Sequence, residues 1–78
     1  MKNNPILGES LVVCVRNTGY PASLELRKIY KELPDEVASK HGRVRIIDES
    51  GEDYLYPAEY FIPIELPQAT REAVLTAA

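Results

Sequence analysis

RVRIIDESGEDYLYPAEYFIPI, residues 43–64, predicts a β-hairpin, a proline-started turn and a closing strand. Val44 and Ile46 alternate with arginines, which is the period-two pattern of a strand with one buried face. The acidic run 48–53 contains Gly51, and glycine supplies the positive φ that a tight reversal often needs. Residues 54–56 are rich in side chains that suit a pleated, half-buried surface, so they form the returning strand.

Two prolines divide the segment after this hairpin. Pro57 cannot donate to a strand ladder, so it ends the returning strand and sets φ for a helical turn over residues 58–60. Residues 61–64 are short and apolar, which predicts a last strand. Pro63 restricts that strand to an edge or to a brief pairing.

The order of strand, acidic turn, strand and Tyr-Pro-Ala-Glu-Tyr-Phe-Ile resembles the C-terminal half of Src-homology-three domains. In that family a distal hairpin is followed by a Pro-x-x-Tyr turn and a final strand, and Pro57, Tyr60 and Phe61 stand at the matching positions. The resemblance implies an all-β fold, a small five-stranded barrel. It implies a fold more than a function, because small barrels host many unrelated activities.

The N-terminal half must supply the first two strands of such a barrel. Residues 11–15 are apolar and mostly β-branched, which predicts the first strand, and residues 16–23 are dense in turn formers and predict a loop. Residues 24–33 fit a helix by the spacing of Leu26, Ile29, Tyr30 and Leu33, and they also fit a strand by alternation. We predict a strand over 27–33, because nothing else can pair with the first and third strands.

Two short helices complete the predicted architecture. Asp35 is placed as the N-cap of a helix over 36–41 that ends at Gly42, which makes it an insertion between the second and third strands. Pro67 starts a C-terminal helix that packs through Ala69, Ala73 and Val74 or frays. The predicted organisation is a lead-in over residues 1–10, the barrel over 11–66 and a helical tail over 67–78.

Length, charge and cysteine content narrow the functional classes. The chain has 78 residues and a net charge of −3, which argues against a nucleic-acid module, since phosphate contacts normally require a basic surface. The single Cys14 cannot form an internal disulfide, so we expect a reducing, cytoplasmic setting. We also expect a bacterial-type protein. The N-terminus lacks the apolar region of a signal peptide, and no segment is long enough to span a membrane.

The sequence predicts neither catalysis nor a cofactor. Any catalytic set of the Ser-His-Asp or Cys-His type would have to use His41, the only histidine, and we expect structural roles for His41 and Cys14. The acidic residues of the hairpin do not have the spacing of a calcium loop. We therefore predict a solvated turn and no metal site at Asp48, Glu49, Glu52 and Asp53.

Aromatic residues provide the candidate binding site. The Src-homology-three resemblance implies a groove built from aromatic side chains of the first loop, the third strand and the Pro-x-x-Tyr turn. It predicts a protein-binding surface formed by Tyr20, Tyr54, Pro57 and Tyr60. An alternative is an RNA- or ribosome-associated barrel with a basic face formed by Arg27, Lys31, Arg43 and Arg45. A third possibility is a small structural subunit of a larger complex.

Overall fold

A single antiparallel sheet forms the body of the protein in the computed structural model, which describes residues 10–77. Its strands are β1 (Ser10–Cys14), β2 (Ile29–Leu33), β3 (Arg43–Ile47), β4 (Asp53–Pro57) and β5 (Phe61–Ile64). The helices are α1 (Glu36–Lys40) and α2 (Gln68–Thr76), and a 3₁₀ turn, Ala58–Tyr60, joins β4 to β5. The prediction of a mainly β fold is confirmed.

The strands lie in the order β4-β3-β2-β1-β5, so β4 and β5 are the two edges. In a flat sheet four steps of roughly 4.8 Å would hold these edges about 19 Å apart. The ring centroids of Tyr56 on β4 and Phe61 on β5 are nevertheless only 6.1 Å apart. The sheet therefore curls strongly, although within residues 10–77 no strand pairing joins β4 to β5 and closes it.

The concave side of the curled sheet holds the core. Alternate residues of the strands point to this side, and the loop between β1 and β2 covers it with Leu24, which is completely buried, and with Tyr20. The buried members of the core cluster are Val12, Cys14, Leu24, Tyr30, Ile46, Tyr56, Tyr60 and Phe61. Aromatic rings thus fill much of the space that a second sheet or a long helix would fill in a larger domain.

The predicted hairpin and the inserted helix are both confirmed. Gly51 has φ +86° at the reversal, and its N–H donates to the carbonyl of Asp48 at 2.9 Å. Asp35 caps α1, since its carboxylate accepts the N–H of Ala38 at 2.9 Å, and Gly42 follows the helix with φ +72°. Local capping and turn chemistry therefore determine both features.

The second strand begins later than predicted. Arg27 has φ +68°, which is the left-handed region, and its N–H donates to the carbonyl of Cys14 at 2.7 Å. The Cys14 N–H donates in turn to the carbonyl of Lys28 at 2.9 Å. Arg27 and Lys28 thus both face Cys14, so they form a β-bulge. The first position of this type of bulge, which Arg27 occupies, is normally glycine. The regular strand can start only after the bulge, at Ile29.

The two ends of the described chain differ in part from the predicted organisation. Ser10, placed in the lead-in, belongs to β1, and the rest of the lead-in lies outside the described residues. Helix α2 forms as predicted, but Ala69 and Ala73 are exposed and only Val74 of the three expected contacts is half-buried. The helix lies beside the convex side of the sheet, where Val74 and Leu11 line the same cleft.

The bulge gives a prediction about stability. Arg27→Gly removes the clash between Cβ and the backbone that a left-handed residue carries, and it should stabilise the protein by about 0.5–1 kcal/mol after the greater unfolded-state entropy of glycine is subtracted. Glu25→Gly, in the same turn but at negative φ, is the control and should destabilise. Urea unfolding measures both variants, and a destabilised Arg27→Gly would contradict the assignment.

Candidate functional site

Four tyrosines pack together where the loop between β1 and β2 meets β4. The ring of Tyr20 lies 4.9 Å from that of Tyr56 and 6.3 Å from those of Tyr54 and Tyr60, measured between centroids. Tyr54 and Tyr56 lie 5.2 Å apart. The tilted and edge-to-face orientations are those that aromatic rings prefer. We call these four residues the tyrosine cluster, and Tyr20 is the member that contacts all of the others.

The tyrosine cluster presents mainly one ring to solvent. Tyr54 is 54% exposed, whereas Tyr20 is half-buried and Tyr60 is buried. The hydroxyl of Tyr60 donates to the carbonyl of Thr18 at 2.8 Å, which ties the 3₁₀ turn to the long loop. The guanidinium of Arg16 lies 5.7 Å from the centre of the Tyr60 ring. Tyr60 therefore orders the loop that carries Tyr20, and Tyr54 is the ring that a partner can reach.

The structure separates Pro57 from the three tyrosines with which it was grouped. Pro57 pairs with Arg43 at the end of β4, and it alternates with Tyr56, so the two side chains belong to opposite faces of the strand. Tyr56 was left out of the predicted site, although it is a full member of the tyrosine cluster. The period of two that places Tyr54 and Tyr56 on one face would have identified it from the sequence.

Two carboxylates of the acidic turn bind buried hydroxyls, so the turn is not simply solvated as predicted. The hydroxyl of Tyr56 donates to Asp48 Oδ2 at 2.6 Å, and that of Tyr30 donates to the carboxylate of Glu49. The ammonium of Lys28 lies 2.6 Å from the same Glu49 carboxylate. These contacts hold the turn between β3 and β4 against the centre of the sheet and against the start of β2.

The ionisation of these groups follows from their contacts. Burial and the hydrogen bond to Asp48 raise the pKa of Tyr56 to about 12. Burial and the hydrogen bond to Glu49 raise the pKa of Tyr30 as well. Lys28 and Tyr30 lower the pKa of Glu49. Burial alone would raise the pKa of Asp48, but hydrogen bonds from Ser50 and Tyr56 outweigh it and lower that pKa. At neutral pH both tyrosines are therefore protonated donors to ionised carboxylates.

The predicted basic residues do not form one free cationic patch. Three of them lie on the convex face, opposite the tyrosine cluster, namely Lys31, Arg43 and Arg45. The guanidinium of Arg45 contacts Asp35 at 2.9 Å and Asp53 at 2.7 Å, so two carboxylates offset its charge. Arg27 lies in the turn that precedes β2, away from the strand positions. The convex face therefore combines cations with anions.

The remaining reactive side chains have structural surroundings. The thiol of Cys14 is completely buried and donates to the carbonyl of Arg16 at 3.2 Å. His41 is exposed at the C-terminal end of α1, where its backbone N–H caps the helix.

Within residues 10–77 no group of three or more metal-binding side chains is assembled. No helix in this part of the chain has the length and apolar character needed to cross a bilayer.

Comparisons with protein-family models, with curated proteins and with solved structures give no match for this chain.

The buried hydroxyl of Tyr30 gives a second stability prediction. It accepts the N–H of Glu25 at 2.8 Å and donates to Glu49, so Tyr30→Phe leaves both groups without this partner and should cost about 1–3 kcal/mol. Tyr54→Phe is the control, since that ring is largely exposed, and it should change stability by less than about 0.5 kcal/mol. Urea unfolding of both variants at pH 7 provides the measurement, and equal effects would contradict the predicted difference.

The lowered carboxyl pKa values predict loss of stability in acid. Folding lowers the pKa values of four carboxyl groups, those of Asp35, Asp48, Glu49 and Asp53. In the unfolded chain carboxyl groups have pKa values of about 4. The unfolded chain therefore binds more protons as the pH falls below about 5, so stability declines there until the folded carboxylates are protonated. Burial raises the pKa of Glu32, so this one carboxyl has the opposite effect on the pH dependence of stability. A urea midpoint that stayed constant on acidification would contradict the prediction.

Proposed function

We propose that the protein is a non-catalytic interaction module, a small Src-homology-three-like barrel that docks a protein or peptide partner through an aromatic surface, which Tyr20 and Tyr54 present and Pro57 and Tyr60 position. The observation that carries this proposal is the ring of Tyr54, which is 54% exposed and is supported by the other rings of the tyrosine cluster. A partner gains a large contact area from such a ring at little cost in conformational entropy, because packing already limits its rotation. Aromatic residues of this kind often dominate binding energy.

The barrel part of the proposal is supported by the curl of the sheet. The side chains of the edge strands β4 and β5 meet through Tyr56 and Phe61, so the interior is enclosed by rings. Pro57, with φ −60°, precedes the 3₁₀ turn that contains Tyr60, which is the arrangement that the Pro-x-x-Tyr resemblance implies.

The four proposed site residues have different tasks. Tyr54, with the accessible edge of Tyr20, supplies the contact with the partner. Tyr60 fixes the loop that carries Tyr20, through its hydrogen bond to the carbonyl of Thr18. Pro57 contributes through the backbone, because it sets the start of the turn that positions Tyr60.

The non-catalytic and cytoplasmic parts of the proposal draw on Cys14 and His41. A thiol held in the core is shielded from substrates. His41 lies at the exposed end of α1, whereas Cys14 lies at the buried end of β1, so the two residues belong to different parts of the molecule. A single unpaired cysteine fits a reducing compartment.

The alternative functions have less support. An RNA-binding face would have to use Arg45, whose charge is offset by Asp35 and Asp53, in a chain of net charge −3. Salt-sensitive RNA binding that Arg43→Glu weakens would nevertheless favour it. A role as a structural subunit predicts comigration with a larger complex in size-exclusion chromatography of a native extract.

The proposed site can be tested by peptide selection. Peptides enriched from a random display library on the wild-type protein should bind Tyr54→Ser at least about ten-fold more weakly, because this change removes the exposed ring and leaves the buried rings in place. Fluorescence polarisation with the enriched peptides gives the affinities.

Ile62→Ser is the matched control, since Ile62 is 52% exposed on β5 and lies outside the tyrosine cluster. It should bind the same peptides as tightly as the wild type does. Circular dichroism confirms that both variants fold. Equal affinity for Tyr54→Ser and the wild type would refute the proposed site.

A further inference from the structure

The two edges of the sheet differ in their capacity to pair with another strand. Next to β5, the N–H of Val15 donates to the carbonyl of Tyr60. Because hydrogen-bonded pairs alternate along an antiparallel ladder, the backbone polar groups of Phe61 and Pro63 point away from β1. Pro63 has no N–H, and the N–H of Phe61 donates to the carbonyl of Ala58. Strand β5 therefore offers no free donor along its outer edge.

The outer edge of β4 is open. The N–H of Asp48 donates to the carbonyl of Glu52, and that of Ala58 donates to the carbonyl of Gly42, which fixes the alternation along the β3–β4 ladder. The pair Arg45 and Leu55 then falls between hydrogen-bonded pairs.

The N–H and the carbonyl of Leu55 consequently point away from β3. Neither group has a hydrogen-bond partner within residues 10–77. A neighbouring strand could therefore bond to both groups of Leu55 and to the carbonyl of Pro57, which faces the same way.

Both faces beside this edge can receive side chains. On the concave face lies the exposed ring of Tyr54. On the convex face Leu55 and Arg43 line an open cleft of about 580 Å³ beside α1, together with Val37. Arg43 is exposed and makes no ion pair with any described residue, so a cation stands free at the cleft.

We propose that β4 binds its partner as an added sixth strand, an extended peptide with acidic side chains toward Arg43 and apolar side chains toward Tyr54. This rests on the proposed function, since Tyr54 is the contact in both. Main-chain hydrogen bonds to Leu55 supply affinity, and the two faces select alternate side chains of the peptide. The positive charge of Arg43, with no carboxylate of its own, selects an acidic segment.

The probe is a short capped peptide in which glutamate and valine alternate. Titration of the ¹⁵N-labelled protein should shift the amide signals of Tyr54 and Leu55 and slow the hydrogen exchange of the Leu55 N–H. Replacing every glutamate of the peptide by lysine should weaken binding at least about ten-fold, and Arg43→Glu should reverse that preference.

Backbone N-methylation of the peptide separates strand addition from side-chain docking. Methylation at every second central residue should abolish binding, and methylation at the residues between them should be tolerated, because only alternate amides face β4. Leu55→Pro removes the outward N–H without touching the bonds to β3, so it should also abolish binding, whereas Leu55→Val should retain it.

Binding that depends on Tyr54 but tolerates N-methylation at all positions would overturn strand addition and leave the proposed function standing. Binding that is unaffected by Tyr54→Ser would overturn the proposed function. Absence of any binding to the alternating peptide by the folded wild type would overturn strand addition for an acidic partner. Pairing of β4 with β4 of a second copy, seen as a dimer in sedimentation that Leu55→Pro dissolves, would also overturn it.

Discussion

The need of one small sheet to cover its own apolar face governs this structure. Residues 10–77 form no second sheet, α1 is only five residues long, and the single cysteine is unpaired. The sheet can remove its concave face from water only by curling until residues of its two edges meet, as Tyr56 and Phe61 do. Large rings suit this task, because each one bridges a gap that several aliphatic side chains would otherwise fill.

Filling the interior with tyrosines creates a second requirement, since each buried hydroxyl must find a hydrogen-bond partner. The carboxylates of Asp48 and Glu49 provide partners from the turn between β3 and β4, and the carbonyl of Thr18 provides one from the long loop. The bonds of Glu49 and Thr18 join segments that are distant in the sequence, whereas that of Asp48 lies within the β3–β4 hairpin. The same contacts that satisfy the core therefore fix the loop and the turn on either side of the tyrosine cluster, which gives the cluster a rigid base.

The sequence predicted the features that are governed by local chemistry. The alternation in β3, the reversal at Gly51 and the cap at Asp35 depend on neighbours within a few residues, and all of them appear in the structure. The bulge at Arg27 could not be predicted, because it is imposed by pairing with β1 and no glycine marks it. The anchoring of the acidic turn was likewise missed, since the partners of Glu49 lie about twenty residues earlier in the chain and meet it only after the sheet has formed.

The prolines explain why the curled sheet is enclosed by side chains and not by a continuous ladder. A closing ladder between β4 and β5 would need donors on both outer edges, but Pro63 and the internally bonded Phe61 leave β5 with none. On β4, Pro57 removes one donor and leaves that of Leu55. An edge with unused donors and acceptors invites pairing with another chain, and proteins commonly block such edges. Here one edge is blocked and the other stays open beside the most exposed aromatic ring of the described chain, an asymmetry that sheet stability alone does not require.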